Sequence, residues 1–130
     1  LQQITVDHEV GQREIKRGVE PAIAYARPEA YQLTQALGPC GEDVLDPSFN
    51  YLNLTEDTLL LLCSDGLSDD RLLETHCSTH IEPVLRGHKG IEEGVADLIE
   101  LANEQNGHDN ITALVVKLRV KPDLSKLQTI

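Results

Sequence analysis

The stretch "LLLLCSDGLSDD", Leu59 to Asp70, decides how this chain is read. Five apolar residues in a row, Leu59 to Cys63, give way at once to Ser64, Asp65 and Gly66. A short run that is apolar on both faces and bounded by turn residues is the pattern of a strand buried between two layers. The strand would deliver Asp65 at its end, and Gly66 suits a backbone that bends sharply beside a crowded site. Ser68 then reads as the N-cap of a helix, with Asp69 and Asp70 set favourably against the helix dipole. That helix would turn Leu72 and Leu73 inward, and a second short helix is expected near Pro83.

Downstream, "GIEEGVADLIELANEQNG" (Gly90 to Gly107) is the clearest helix. Ile91, Val95, Leu98, Ile99 and Ala102 form one apolar stripe, and Asn106-Gly107 supplies the stop. "HDNITALVVKL" follows, with Ile111 to Val116 apolar on both faces, a second buried strand. Upstream, "FNYLNL" and "TEDTLLLLC" read as two strands joined by a turn at Thr55 to Asp57, and "LQQITVDHEV" as a short strand ending at Asp7. Residues 9 to 30 mix both charge signs with Gly11, Gly18, Pro21 and Pro28. They read as a mobile loop or a short helical excursion. Turns are expected at Gly38-Pro39, Gly41 and Pro47-Ser48, and residues 121 to 130 read as a tail or linker.

The 130 residues are enough for one domain with a modest core, and 40% apolar with 25% charged residues is an ordinary globular balance. With one Phe, three Tyr and no Trp, that core must be aliphatic. A formal charge of −11 argues against nucleic acid and anionic membranes as partners. No apolar run approaches the roughly 20 residues of a bilayer span. Cys40, Cys63 and Cys77 form no C-x-x-C pair, which fits a reducing, cytoplasmic compartment. The chain has no methionine and starts at Leu1, so we expect it to be a piece of a longer protein, and a monomer.

Asp65 closes one apolar strand and Asp109, beside Asn110, precedes the other. If the strands are antiparallel neighbours, both carboxylates emerge at one sheet edge. Close carboxylates repel unless a cation lies between them, and hard oxygen donors select Mg²⁺, Mn²⁺ or Ca²⁺ over zinc. Each dipeptide alone is equally the mark of an ordinary turn.

"DTLLLLCSDGLSDD" and "GHDNITALVV" resemble the two C-terminal signatures of the metal-dependent type 2C (PPM) protein serine/threonine phosphatases. "ITVDHEV" resembles that family's T-x-DH segment, and "LTQALG" its short segment after the flap. The four occur in family order from Ile4 to Val116, with compact spacing similar to the bacterial branch. The resemblance implies an α/β (α+β) architecture, the family's α-β-β-α sandwich, here incomplete. Residues 1 to 120 would be the C-terminal part of the domain, with a flap at about residues 9 to 33. It implies Asp65 as a metal ligand, also bordering a third, labile ion, and Asp109 as a ligand of the core binuclear centre of Mn²⁺ or Mg²⁺. Gly66 and Asn110 would support the ligands, and Arg13, Lys16, Arg17 and Arg27 of the flap would meet a phosphoprotein substrate; His108, beside Asp109, reads either as a group orienting a ligand or as an exposed loop histidine. Glu9, Glu14, Glu20 and Glu29 offer those bases ordinary ion pairs instead.

The implied reaction is hydrolysis of phosphoserine or phosphothreonine by water activated between two ions about 4 Å apart. The family's phosphate-binding arginine and its bridging Asp-Gly motif have no counterpart here, so the isolated chain is expected to be inactive. The main rival is a non-catalytic pseudophosphatase that binds phosphoproteins; a third reading is a metal-dependent hydrolase of other phosphoesters. His76, Cys77 and His80 in "ETHCSTH" lack a second pair for zinc and read as structural. Cys63 lacks the arginine of a cysteine phosphatase and reads as a small core residue. Asp7-His8 reads as a hydrogen-bonding corner.

Overall fold

A computed structural model describes residues 1–38 and 46–121. The expected turns at Pro39 and Gly41, and the tail beyond Lys121, lie outside them. The chain divides into two compact units, Gln2–Leu52 and a second from Asn53 onward that also takes in Leu1.

In the first unit, helix α1 (Val10–Lys16) is followed by α2 (Pro21–Ala24) and a 3₁₀ turn at Pro28–Tyr31. Pro21 and Pro28 each open their helical turn, where the missing N–H is not needed. Gly11 is buried under Tyr25, whose ring occupies the space a Cβ would need, and the Tyr25 hydroxyl donates to Glu9 at 3.0 Å. Two expected strands are absent. Residues 1–8 and 49–54 have no regular structure; only Glu9 and Leu33 form an isolated bridge. A strand exists through the ladder it enters, and among the described residues these segments form no ladder; the Asn50 side-chain amide donates to the Ile4 carbonyl at 3.4 Å. Pro47-Ser48 is irregular too, with Ser48 hydrogen-bonded to the His8 ring at 3.0 Å.

The second unit is built on two strands, β1 (Thr58–Cys63) and β2 (Ala113–Leu118), antiparallel from Thr58↔Leu118 to Cys63↔Ala113. One face carries Leu59, Leu61 and Ala113 toward helices and is packed on the core. The other face is open, with Leu62 55% and Leu114 57% exposed. Burial of both faces, expected from the apolar runs, does not hold within this chain, because helices cover one side only.

Between the strands run α3 (Asp65–Ser68), a 3₁₀ turn Asp69–Arg71, α4 (Leu72–His76), a wide π turn Cys77–Ile81, α5 (Glu82–Arg86) and α6 (Ile91–Asn106). Ser68 stands at the N-cap position of the 3₁₀ turn, with Asp69 and Asp70 in its first turn, but its side chain makes no cap bond. The helix starts directly at Asp65, and the chain kinks at Asp70 and Arg71, both with positive φ (53° and 59°). Leu72 and Leu73 do turn inward, α5 begins beside Pro83, and α6 stops at Asn106. The buried stripe of α6 is rotated from the expected one: Gly94, Leu98, Leu101 and Ala102 are buried, whereas Ile91 is exposed. Leu67, fully enclosed, centres a core with Leu72, Leu73, Ile81, Leu98, Leu101 and Ala102. This is an α+β architecture, consistent with an incomplete PPM-like sandwich. No helix among the described residues is long and apolar enough to cross a membrane.

Candidate metal centre

The register Cys63↔Ala113 brings the end of β1 beside the start of β2, so Asp65 and Asp109 are delivered to one end of the sheet. Asp65 is the first residue of α3, held at its base by the enclosed Leu67. Asp109 follows α6, where the Asn106 carbonyl accepts from the His108 amide (2.6 Å) and the Asp109 amide (3.4 Å). Both aspartates are exposed. In each, Oδ1 accepts the next residue's amide, from Gly66 at 3.0 Å and from Asn110 at 2.7 Å. The second oxygen of each has no protein hydrogen bond among the described residues.

Gly66 is buried against this junction: a Cβ there would stand 2.6 Å from the Asn110 carbonyl oxygen. Glycine is needed for close approach, not for a positive φ. The acids at this end of the sheet act on one another electrostatically. The Asp69 carboxyl is pushed above its ordinary value, chiefly by burial and then by the negative charges of Asp65, Asp70 and Asp109, while His108 pulls it down. Asp69 is the member that sequence reasoning placed only as a helix-dipole partner.

Asp65, Gly66, His108, Asp109 and Asn110 thus lie together. Arg13, on α1, and Arg17, at its C-cap, belong to the other unit; both are exposed and face Glu14, at 4.0 Å and 2.8 Å. Lys16 and Arg27 are also exposed.

The donor chemistry fits a hard divalent ion, but as a part of a site. Among the described residues no three His, Cys, Asp or Glu side chains converge closely enough to hold a metal. Asp65 and Asp109 offer two carboxylate donors at that end of the sheet. His76 and His80 stack edge to face with centroids 5.7 Å apart, bonded to the Leu72 carbonyl and Thr79 hydroxyl, in keeping with a structural pair. Cys63 is exposed at the strand end, not in the core; partial burial of its sulfur raises its pKa against a lowering bond from Ser68.

Over 118 residues, 90% of the chain, it is 34% identical to the serine/threonine phosphatase stp of Listeria welshimeri, and equally to that of Listeria monocytogenes. The chain is a relative of bacterial serine/threonine phosphatases. Over 117 residues it is 29% identical to the protein phosphatase PhpP of Streptococcus pneumoniae. It covers 44% of the Listeria phosphatases and 45% of the streptococcal one, less than half the length of these relatives. This agrees with the motif resemblance to a C-terminal portion of a bacterial PPM phosphatase. The chain matches no protein-family profile and no solved structure.

Proposed function

We propose that this chain is the C-terminal portion of a protein phosphatase that hydrolyses phosphoserine and phosphothreonine monoesters with Mn²⁺ or Mg²⁺. One observation carries the reading. The antiparallel register puts two carboxylates that lie 44 residues apart in sequence, Asp65 and Asp109, at the same end of the sheet. Asp65 and Asp109 would hold the ions, and Gly66 lets the Asn110 backbone close on the strand end. Bound divalent ions would supply the positive charge that acidifies the attacking water and admits a dianionic phosphate to an acidic protein. Asp69 and His108 tune the charge around that opening. Arg13 and Arg17 would meet the phosphoprotein in exchange for Glu14, a surface pairing that costs little to give up.

The intact protein should hydrolyse a phosphothreonine peptide with Mn²⁺ and lose that activity on chelation. Asp65→Asn and Asp109→Asn should each lower turnover beyond the ten- to hundredfold typical of supporting residues around a metal. Turnover that survives chelation would overturn the reading. The isolated 130-residue chain should be inactive. One observation favours a second reading, a phosphoprotein-binding module: too few donors converge to close a site among the described residues. Phosphopeptide binding without turnover by the intact protein, whatever the ion, would decide for the binder.

A further inference from the structure

In the register of β1 and β2, Ser64 stands opposite Thr112, one step beyond the last strand pair. A hydrogen-bonded antiparallel pair exchanges two N–H···O=C bonds. Here only one is made in the ordinary way, from the Ser64 amide to the Thr112 carbonyl at 3.1 Å. The Ser64 carbonyl has turned away into α3, where it accepts the Leu67 amide at 3.1 Å. The Ser64 hydroxyl takes its place. It accepts the Thr112 amide at 3.0 Å and donates its own proton to the Asn110 carbonyl at 2.9 Å.

We propose that Ser64 is a positioning residue for the metal centre: its hydroxyl clasps the Asn110–Thr112 segment to the strand end and so sets the placement of Asp109 relative to Asp65. The inference rests on the proposed reading of those two aspartates as partners in one centre. The hydroxyl is suited to the position because the chain must be strand toward β2 and helix toward Leu67 at the same residue. A backbone carbonyl can serve only one of these, and an alanine would leave the Thr112 N–H and Asn110 C=O with nothing on the strand side. Gly66 acts in concert, since its lack of a Cβ lets the same Asn110 carbonyl lie against α3. Each clasped residue is next to a proposed ligand or one turn of chain from it, so loosening the clasp moves a carboxylate without removing one.

Two readouts on the intact protein test this without recourse to turnover: amide hydrogen exchange at Thr112 in the metal-free state, and the Mn²⁺ binding isotherm. Ser64→Ala should deprotect the Thr112 amide and weaken Mn²⁺ binding by about ten- to a hundredfold. Ser64→Thr, which keeps the hydroxyl, should restore both. If Ser64→Ala fails to fold, Ser64→Cys, with its weak donor, replaces it in the same comparison. Asp65→Ala and Asp109→Ala are measured alongside. If they weaken Mn²⁺ binding while Ser64→Ala or its Cys substitute does not, the clasp is overturned and the metal reading stands. If neither aspartate variant changes the affinity, the metal reading itself fails and the positioning role falls with it.

Discussion

Asp69 makes the concentration of negative charge at the sheet end measurable. Its carboxyl holds its proton above the ordinary value of 3.8, through burial first and the charges of Asp65, Asp70 and Asp109 next. A native state that binds the proton more tightly than the unfolded chain loses stability as the pH rises from that ordinary value through the raised one. Asp69→Asn should therefore stabilise the metal-free protein at neutral pH, and the gain should vanish below the ordinary carboxylate value. Denaturant melts at several pH values check this; a gain independent of pH would contradict it. Gly66 offers a second test. Gly66→Ala must push back a backbone carbonyl, at a cost of about 1–3 kcal/mol in unfolding free energy, and Mn²⁺ affinity should fall with it because Asn110 adjoins Asp109. Sequence made Asp65, Gly66 and Asp109 legible, since their neighbours are punctuated apolar runs. It did not show Ser64, whose partners lie 46 and 48 residues away.

The elements that could be read were those whose stability is local. The 16 residues of α6 carry their own periodicity and stop signal, and the short "LLLLC" run bounded by turn residues is legible as a strand, for which β2 supplies the ladder. The elements missed were decided by partners. Residues 1–8 and 49–54 have strand composition without a ladder to join, and the α3–α4 corner bends through Asp70 and Arg71 in the left-handed region, a local strain that no propensity encodes. The rotation of the α6 stripe has a similar origin. Gly94 is buried directly against Val84 of α5, so the helix presents its glycine where periodicity would have aimed Ile91. Gly94→Ala should collide with the stiff, branched Val84 and lower stability by about 1–3 kcal/mol, against the gain expected from adding a good helix former. Thermal melts of Gly94→Ala with and without Val84→Ala check the contact, because the second substitution should recover most of the loss.

At the scale of the molecule, the two-stranded sheet has helices on one face and exposed Leu62, Leu114 and Val116 on the other. The relatives it matches are more than twice the length of the matched region. Both facts sit with a site whose described donors are a pair in search of company. The account stands on Asp65 and Asp109 serving one ion cluster, and a double-mutant cycle of Mn²⁺ affinity on the intact protein, with Asp65→Asn and Asp109→Asn, tests it most directly. Shared service predicts that each single change weakens binding at least about tenfold and that the double change adds far less than their sum. Affinity untouched by either change, or losses that simply add, would contradict it.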